Sequence, residues 1–294
     1  MREVWILANA QAGRRHAREN GEAVRQVFDQ GGCRTQMTYT ETVQQAQEFL
    51  DRAASAHPDL VVCCGGDGTL SLTVNYLGEL GAALPLGYVP MGTTNDFAAS
   101  LGLSKDPAKA AQQILQGSPK VVDLGAFNQR RFLYVASFGA FTQSSYRAAP
   151  MAKAALGHFA YVLEGARELP CLRPCPAQVE TDGGKFSGEF LFGAVSSSTS
   201  IGGVLKLDPA KVQLDDGLLE LTLVRMPKNP VELGQALLML QKGNADGELV
   251  ILRQVRQAAF SCQEEFPWSL DGEYVPGDRQ VDIQVLPGAV ELVL

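Results

Sequence analysis

Short apolar runs alternate with helical stripes along the chain up to Gly125. Val4–Ala8 reads as a strand, and Ala17, Gly21, Val24 and Phe28 fall on one face of a helix. Thr35–Thr40 predicts a second strand. Val43, Ala46, Leu50 and Ala53 form the next helical stripe, with Thr42 placed to cap it. Leu60–Cys64 is continuously apolar, as in a strand buried on both faces. Leu70, Val74 and Leu77 then mark a helix, Leu86–Val89 a strand ending at Pro90, and Ala108, Ala111 and Leu115 a helix before Val121–Leu124. This β-α-β-α order predicts an α/β fold with a parallel sheet and helices on its faces.

Beyond Gly125 the pattern becomes β-rich. Arg131–Phe138 is strand-like and Met151–Leu169 helical. Gln178–Thr181 and Phe186–Val195 are joined through Asp182-Gly183-Gly184, and Leu218–Arg225 follows. Pro230–Gln241 has a helical pattern. Leu249–Gln254, Ala258–Cys262 and a closing strand pair, Gln280–Leu286 and Ala289–Leu294, complete the chain. The expected organisation is an N-terminal nucleotide-binding domain over 1–125 and a β-rich, sandwich-like domain over 126–294, with the last strands as candidates to return to the first domain. A cleft between two such domains is a usual place for a ligand.

Composition adds boundaries. With 294 residues, 46% hydrophobic and 19% charged, the chain fits two globular domains. A net charge of −7 speaks against nucleic acid as a partner. The charge is uneven: between Asn128 and Gln178, Arg130, Arg131, Arg147, Lys153, Arg167 and Arg173 face only Glu164 and Glu168. That window is either a solvated face or a surface for anionic headgroups. No apolar stretch approaches the roughly 18 residues that span a bilayer, and the first residues have strand length rather than signal-peptide character. The six cysteines form no CxxC pair, and His16, His57 and His158 are scattered. This predicts a reducing cytoplasm, with Cys63 and Cys64 as buried thiols on opposite faces of a strand and no zinc.

Chemistry concentrates where strands end. Val61–Cys64 runs into Gly65-Gly66-Asp67-Gly68-Thr69-Leu70, a glycine-rich turn that opens a helix. Glycines let the backbone approach phosphate oxygens, and a helix N-terminus favours anions. An aspartate there repels phosphate unless a cation or a substrate hydroxyl is also handled. Pro90-Met91-Gly92 leads similarly into Thr93-Thr94-Asn95-Asp96, with Thr93 placed to cap the next helix. Asn9-Ala10-Gln11-Ala12-Gly13, before Arg14 and Arg15, ends the first strand. In a parallel sheet these three ends share one edge, which suits a nucleoside triphosphate. Neither a P-loop nor a dinucleotide fingerprint is present. Two later segments carry acids, Asp215-Asp216-Gly217 and Asp271-Gly272-Glu273, although Asp-Gly is also an ordinary hairpin turn.

GGDGT (65–69), PxGTxNDFA (90–98), DDGLLEL (215–221) and LDGE (270–273), in this order, resemble the bacterial lipid kinases with a diacylglycerol kinase catalytic domain, relatives of NAD kinases and 6-phosphofructokinases. The resemblance covers essentially the whole chain. It implies ATP as co-substrate, Mg2+ as cofactor and a lipid hydroxyl as phosphoryl acceptor, on a diacylglycerol- or phosphatidylglycerol-like lipid. It implies Gly65, Gly66, Asp67, Gly68, Thr69, Leu70 and Ser71 as the phosphate loop, with Asn9, Thr40, Gly92, Thr93, Asn95 and Asp96 also on the nucleotide side. Glu273 is implied as general base, with Asp271 beside it and Asp67 placing magnesium and phosphate; Asp67 and Asp271 are the candidates for the magnesium shell, and Asp67 is the alternative base. A separate structural magnesium would use Asp216 and the backbone oxygens of Gln213 and Leu218. Two segments depart from the family pattern: Asn9–Gly13 lacks the proline and serine of N-P-x-S-G, and Ser196–Gly203 replaces an asparagine and a glycine run. With no spanning stretch, transient docking of a cytoplasmic enzyme on a membrane surface is the expected route to the lipid, with Met151–Leu169 either a contact for that surface or packed on the second domain, and a homodimer is a candidate assembly. The competing readings are a soluble-substrate kinase of the NAD kinase type and a nucleotide-binding regulator without catalysis.

Overall fold

The computed structural model describes residues 1–12, 16–93, 95–140, 173–198, 200–201, 205–206, 212–242 and 247–294. Gly13, Arg14, Arg15, Thr94, Arg147, Cys171, the proposed helix Met151–Leu169 with Lys153, His158 and Arg167, Thr199, and Gly202–Gly203 lie outside the described residues. Two compact units emerge, Met1–Val122 with Gly288–Leu294, and Asp123–Pro287.

The first unit contains β1 (Glu3–Asn9), α1 (Ala17–Gln30), β2 (Arg34–Thr40), α2 (Val43–Ala56), β3 (Leu60–Gly65), α3 (Asp67–Glu79), β4 (Leu86–Pro90), α4 (Asp96–Ser100) and α5 (Pro107–Gln116). Its strands are parallel in the order β2-β1-β3-β4. Alternation along β1 explains the layering. Val4, Ile6 and Ala8 share a buried cluster with Ala17, Val24 and Phe28 of α1 and Ala110, Ala111 and Ile114 of α5. Trp5 faces the other way and meets Phe49 of α2 at 5.8 Å between ring centroids. β3 is buried throughout, which is why its sequence shows no alternation. Thr42 caps α2, its hydroxyl accepting the Gln45 N–H at 3.2 Å. Cys63 and Cys64 are fully buried, and burial pushes the Cys63 thiol up to about 12 and the Cys64 thiol well up, so neither is a nucleophile.

The second unit is mostly antiparallel. Its elements are β5 (Pro119–Phe127, shared with the first unit), β6 (Arg130–Phe132), β7 (Val135–Gly139), β8 (Cys175–Thr181), β9 (Gly184–Ser196), β10 (Ser200–Ile201), β11 (Leu205–Lys206), β12 (Leu219–Arg225), α6 (Pro230–Lys242), β13 (Val250–Val255), β14 (Gln257–Cys262), β15 (Trp268–Leu270), β16 (Glu273–Val275) and β17 (Gln280–Val293). Trp268 is fully buried at the centre of an aromatic cluster, with ring centroids 4.7 Å from Phe138 and 5.1 Å from Phe127 and Phe260. Burying each such ring contributes roughly 2–3 kcal/mol.

Two sequence expectations change. The closing strand pair is one strand, β17. Its first half pairs with β14, and Leu292 pairs in parallel with Leu86 of β4. Pro287-Gly288 has the composition of a turn, and Gly288 has a φ of 58°, yet the residues on either side find different ladder partners instead of each other. Arg131–Phe138 is interrupted at Leu133-Tyr134, because a side chain, that of Asp271, takes the backbone donors there.

Candidate active site

In the first unit, the C-terminal ends of β2, β1, β3 and β4 place Thr40, Asn9, Gly65 and Pro90 on one edge. β1 and β3 flank the point where the connections diverge to opposite sides of the sheet, the usual crevice for a ligand in such folds. Asn9 spans it: its Nδ2 donates to Thr69 Oγ1 at 3.0 Å, and its Oδ1 accepts the Gln11 N–H at 2.9 Å. Thr40 is buried beside it, its carbonyl accepting the Ala10 N–H. Gly68 and Thr93 are exposed. The Leu70 side chain is buried in the face of α3, so only its backbone can serve a ligand.

Asp67 is the hub. It is the first residue of α3 and 8% exposed. Its Oδ1 accepts the Tyr88 hydroxyl at 3.0 Å and its Oδ2 accepts the Asp96 N–H at 2.8 Å. A carboxylate thus caps a helix, α4, that belongs to the neighbouring loop. This corrects the role expected of Thr93. Asn95 occupies the cap position, in the left-handed region at φ 53°, and its carboxamide does not cap the helix. Instead Oδ1 accepts the Gly92 N–H at 3.0 Å and Nδ2 donates to the Gly92 carbonyl at 2.8 Å. Asn tolerates this backbone conformation.

The two loops touch through glycines. A Cβ on Gly92 would stand 2.6 Å from the Gly66 Cα, which is backbone and cannot give way. Close backbone packing here brings the GGDGT and GTTND turns side by side. Tyr88 was not singled out in the sequence. It lies in the apolar run of β4, and only the tertiary structure places its hydroxyl on Asp67.

The second unit carries the other acids in two groups. Asp271 and Gly272 have φ of 49° and 87°, forming the two-residue turn between β15 and β16. Asp271 is 7% exposed and accepts three backbone N–H groups: Leu133 at 2.6 Å on Oδ2, and Tyr134 at 2.9 Å and Val135 at 3.1 Å on Oδ1. Glu273, across the turn, is exposed. In the other group, Asp216 Oδ1 accepts the Leu218 N–H at 3.0 Å, and Asp123 Oδ2 accepts the Gly217 N–H at 2.7 Å. The Asp123 N–H donates to the Leu214 carbonyl at 2.7 Å, tying the acidic turn to β5. Gln213 is exposed at the start of this turn. Asp123, a lone acid in an apolar strand, was a legible signal that the sequence reading passed over.

Glu220, on β12 just beyond this turn, is 8% exposed, and among the described residues neither carboxyl oxygen has a partner in hydrogen-bond geometry. Burial pushes its carboxyl up to about 8; Gln254, opposite it on β13, draws it down and the Asp216 charge raises it further. Gln254's pull falls short of a full hydrogen bond. Among the described residues no three acidic, imidazole or thiol groups gather as a metal cage. The donors at hand are oxygens, and magnesium commonly makes do with one or two carboxylates, phosphate oxygens and water.

A parallel sheet edge with two glycine turns, a helix N-terminus and a buried carboxylate is an α/β arrangement that suits phosphate groups. The profile of the diacylglycerol kinase catalytic domain matches residues 3–127, and that of the YegS C-terminal NAD kinase beta sandwich-like domain matches 135–294. The chain belongs to the diacylglycerol kinase catalytic-domain family, a family of kinases. The diacylglycerol kinase of Bacillus subtilis (strain 168) is 32% identical over 282 residues, 95% of this chain and 93% of that one. That of Staphylococcus carnosus (strain TM300) is 32% identical over 270 residues, 92% and 88%. A crystal structure of a diacylglycerol kinase from Bacillus anthracis str. Sterne shares the fold, with a TM-score of 0.75 and 20% identity over 99% of this chain and 96% of that chain. Among the described residues no helix is long and apolar enough to cross a membrane.

Proposed function

We propose that this protein is an ATP- and Mg2+-dependent lipid kinase that transfers the γ-phosphoryl group to a hydroxyl of a diacylglycerol- or phosphatidylglycerol-like lipid. The observation that carries this reading is the Asp67 hub at the sheet edge, where a fixed carboxylate joins two glycine turns. Phosphoryl transfer depends on alignment and charge neutralisation more than on covalent chemistry by the protein. The N-terminus of α3 and the Gly65–Ser71 and Gly92–Asp96 turns bind the triphosphate. Asn9, Thr69 and Thr40 fix the wall of that crevice. Mg2+, when bound, neutralises phosphate charge. Asp67 would orient that ion together with the phosphates, and Asp216 with the Gln213 and Leu218 carbonyls would hold a structural ion.

Glu273 takes the proton of the acceptor hydroxyl as its oxygen bonds to the γ-phosphorus and the bond to the bridging oxygen breaks, releasing ADP, a role that needs an accessible carboxylate. Its exposure supports this. Asp271, with both oxygens committed to backbone donors, supports the turn that presents Glu273. The lipid is met at a membrane surface by transient docking. The purified protein is incubated with Mg2+ and γ-labelled ATP against micellar diacylglycerol, phosphatidylglycerol, a sphingoid base, an undecaprenol-like alcohol and NAD, alongside Asp67→Ala and Glu273→Gln. Label in a lipid, lost in both variants, is the expected result. Label in NAD alone moves the protein to soluble substrates. ATP binding without transfer to any acceptor favours a regulator.

A further inference from the structure

We infer that Tyr88 is a positioning residue for phosphoryl transfer, acting through Asp67. The inference rests on the kinase reading above. Tyr88 is 1% exposed in the middle of β4, between Gly87 and Val89, and a buried phenol must satisfy its hydroxyl. The hydroxyl donates to Asp67 Oδ1 at 3.0 Å and stands 3.4 Å from Asn95 Oδ1. It carries one hydrogen, so the shorter, charged acceptor takes it. The Asp96 N–H holds the other carboxylate oxygen from the opposite direction at 2.8 Å. Two donors on two oxygens fix both torsions of the Asp67 side chain. Asn95, the second neighbour of the hydroxyl, grips Gly92 through both amide atoms. Tyr88 therefore sits at the junction where the GGDGT turn and the GTTND turn are set against each other. An aliphatic side chain would fill β4 as well for packing, but it would take away the hydroxyl that holds Asp67 Oδ1.

The test compares Tyr88→Phe with Tyr88→Leu and with Val24→Ala, a buried core change in α1. Active wild-type protein on its lipid comes first, since its absence would sink the kinase reading rather than this inference. Both Tyr88 variants lose the same donor but different amounts of packing. The expected result is a kcat about tenfold lower in Y88F, equivalent to about 1.4 kcal/mol, with the KM for ATP within about threefold. Y88L, if folded, shows the same kcat loss despite a lower Tm, and V24A keeps its kcat despite its own lower Tm. A Y88F kcat within twofold of wild type overturns the inference. So does a loss confined to KM, or one that V24A reproduces at equal loss of Tm.

Discussion

Asp271 offers the most direct test of how the second unit is held. Asp271→Asn keeps the size of the side chain and tolerates the same positive φ, so the turn itself is not strained by the change. What changes is the hydrogen bonding. The carboxylate accepts three backbone N–H groups at 2.6, 2.9 and 3.1 Å in a spot 7% exposed. The amide has one oxygen. If it stays on Tyr134 and Val135, the amide NH2 faces the Leu133 N–H, donor against donor. A bond to a charged acceptor contributes about 1.5–3 kcal/mol, and leaving its buried donor without a partner puts the cost at the upper end of that range. A net loss of about 3 kcal/mol follows, and in a unit of this size Tm falls by about 2–4 °C per kcal/mol, so by about 6–12 °C. Differential scanning calorimetry or fluorescence-monitored melting reads this directly. Transfer activity should fall as well, because Glu273 is carried by the same turn. A Tm within 2 °C of wild type would refute the account, since it would mean the three backbone donors are satisfied without the carboxylate.

Gly92→Ala puts a Cβ 2.6 Å from the Gly66 backbone, so the two turns must separate; ATP affinity measured by calorimetry should drop at least tenfold, and unchanged affinity would deny that their contact builds the phosphate site. Glu220 gives a pH signature. Its folded carboxyl, at about 8, lies above the ordinary value of 4.5, so the folded state retains a proton that the unfolded state has already lost. The stability this carboxyl contributes is complete below 4.5, shrinks as pH rises and is gone above 8. Glu220→Gln has no such proton to lose. In EDTA, the Tm of E220Q minus that of wild type should grow from pH 5 to pH 8 and then level off, whereas a constant difference across that range would contradict the assignment.

The sequence by itself determined the parallel sheet, because the unbroken apolar run Leu60–Cys64 and the stripes of α1, α2 and α3 allow only strands buried between helices. It also determined that Asn9, Gly65, Gly66 and Gly92 meet at one edge, since parallel strands put all their C-terminal ends on the same side. The spacing of four motifs was enough to point to the kinase family. Tertiary structure alone decided what each carboxylate touches. Asp67 and Asp271 look alike in sequence, each beside a glycine at the end of a strand. Yet one bridges a tyrosine hydroxyl and a helix N-terminus, while the other closes on three backbone donors more than a hundred residues away. Local pattern reports which face of an element is buried. It carries no information on which distant groups share that burial, and so what Tyr88, Asp123 and Glu220 face was decided only when the strands were paired.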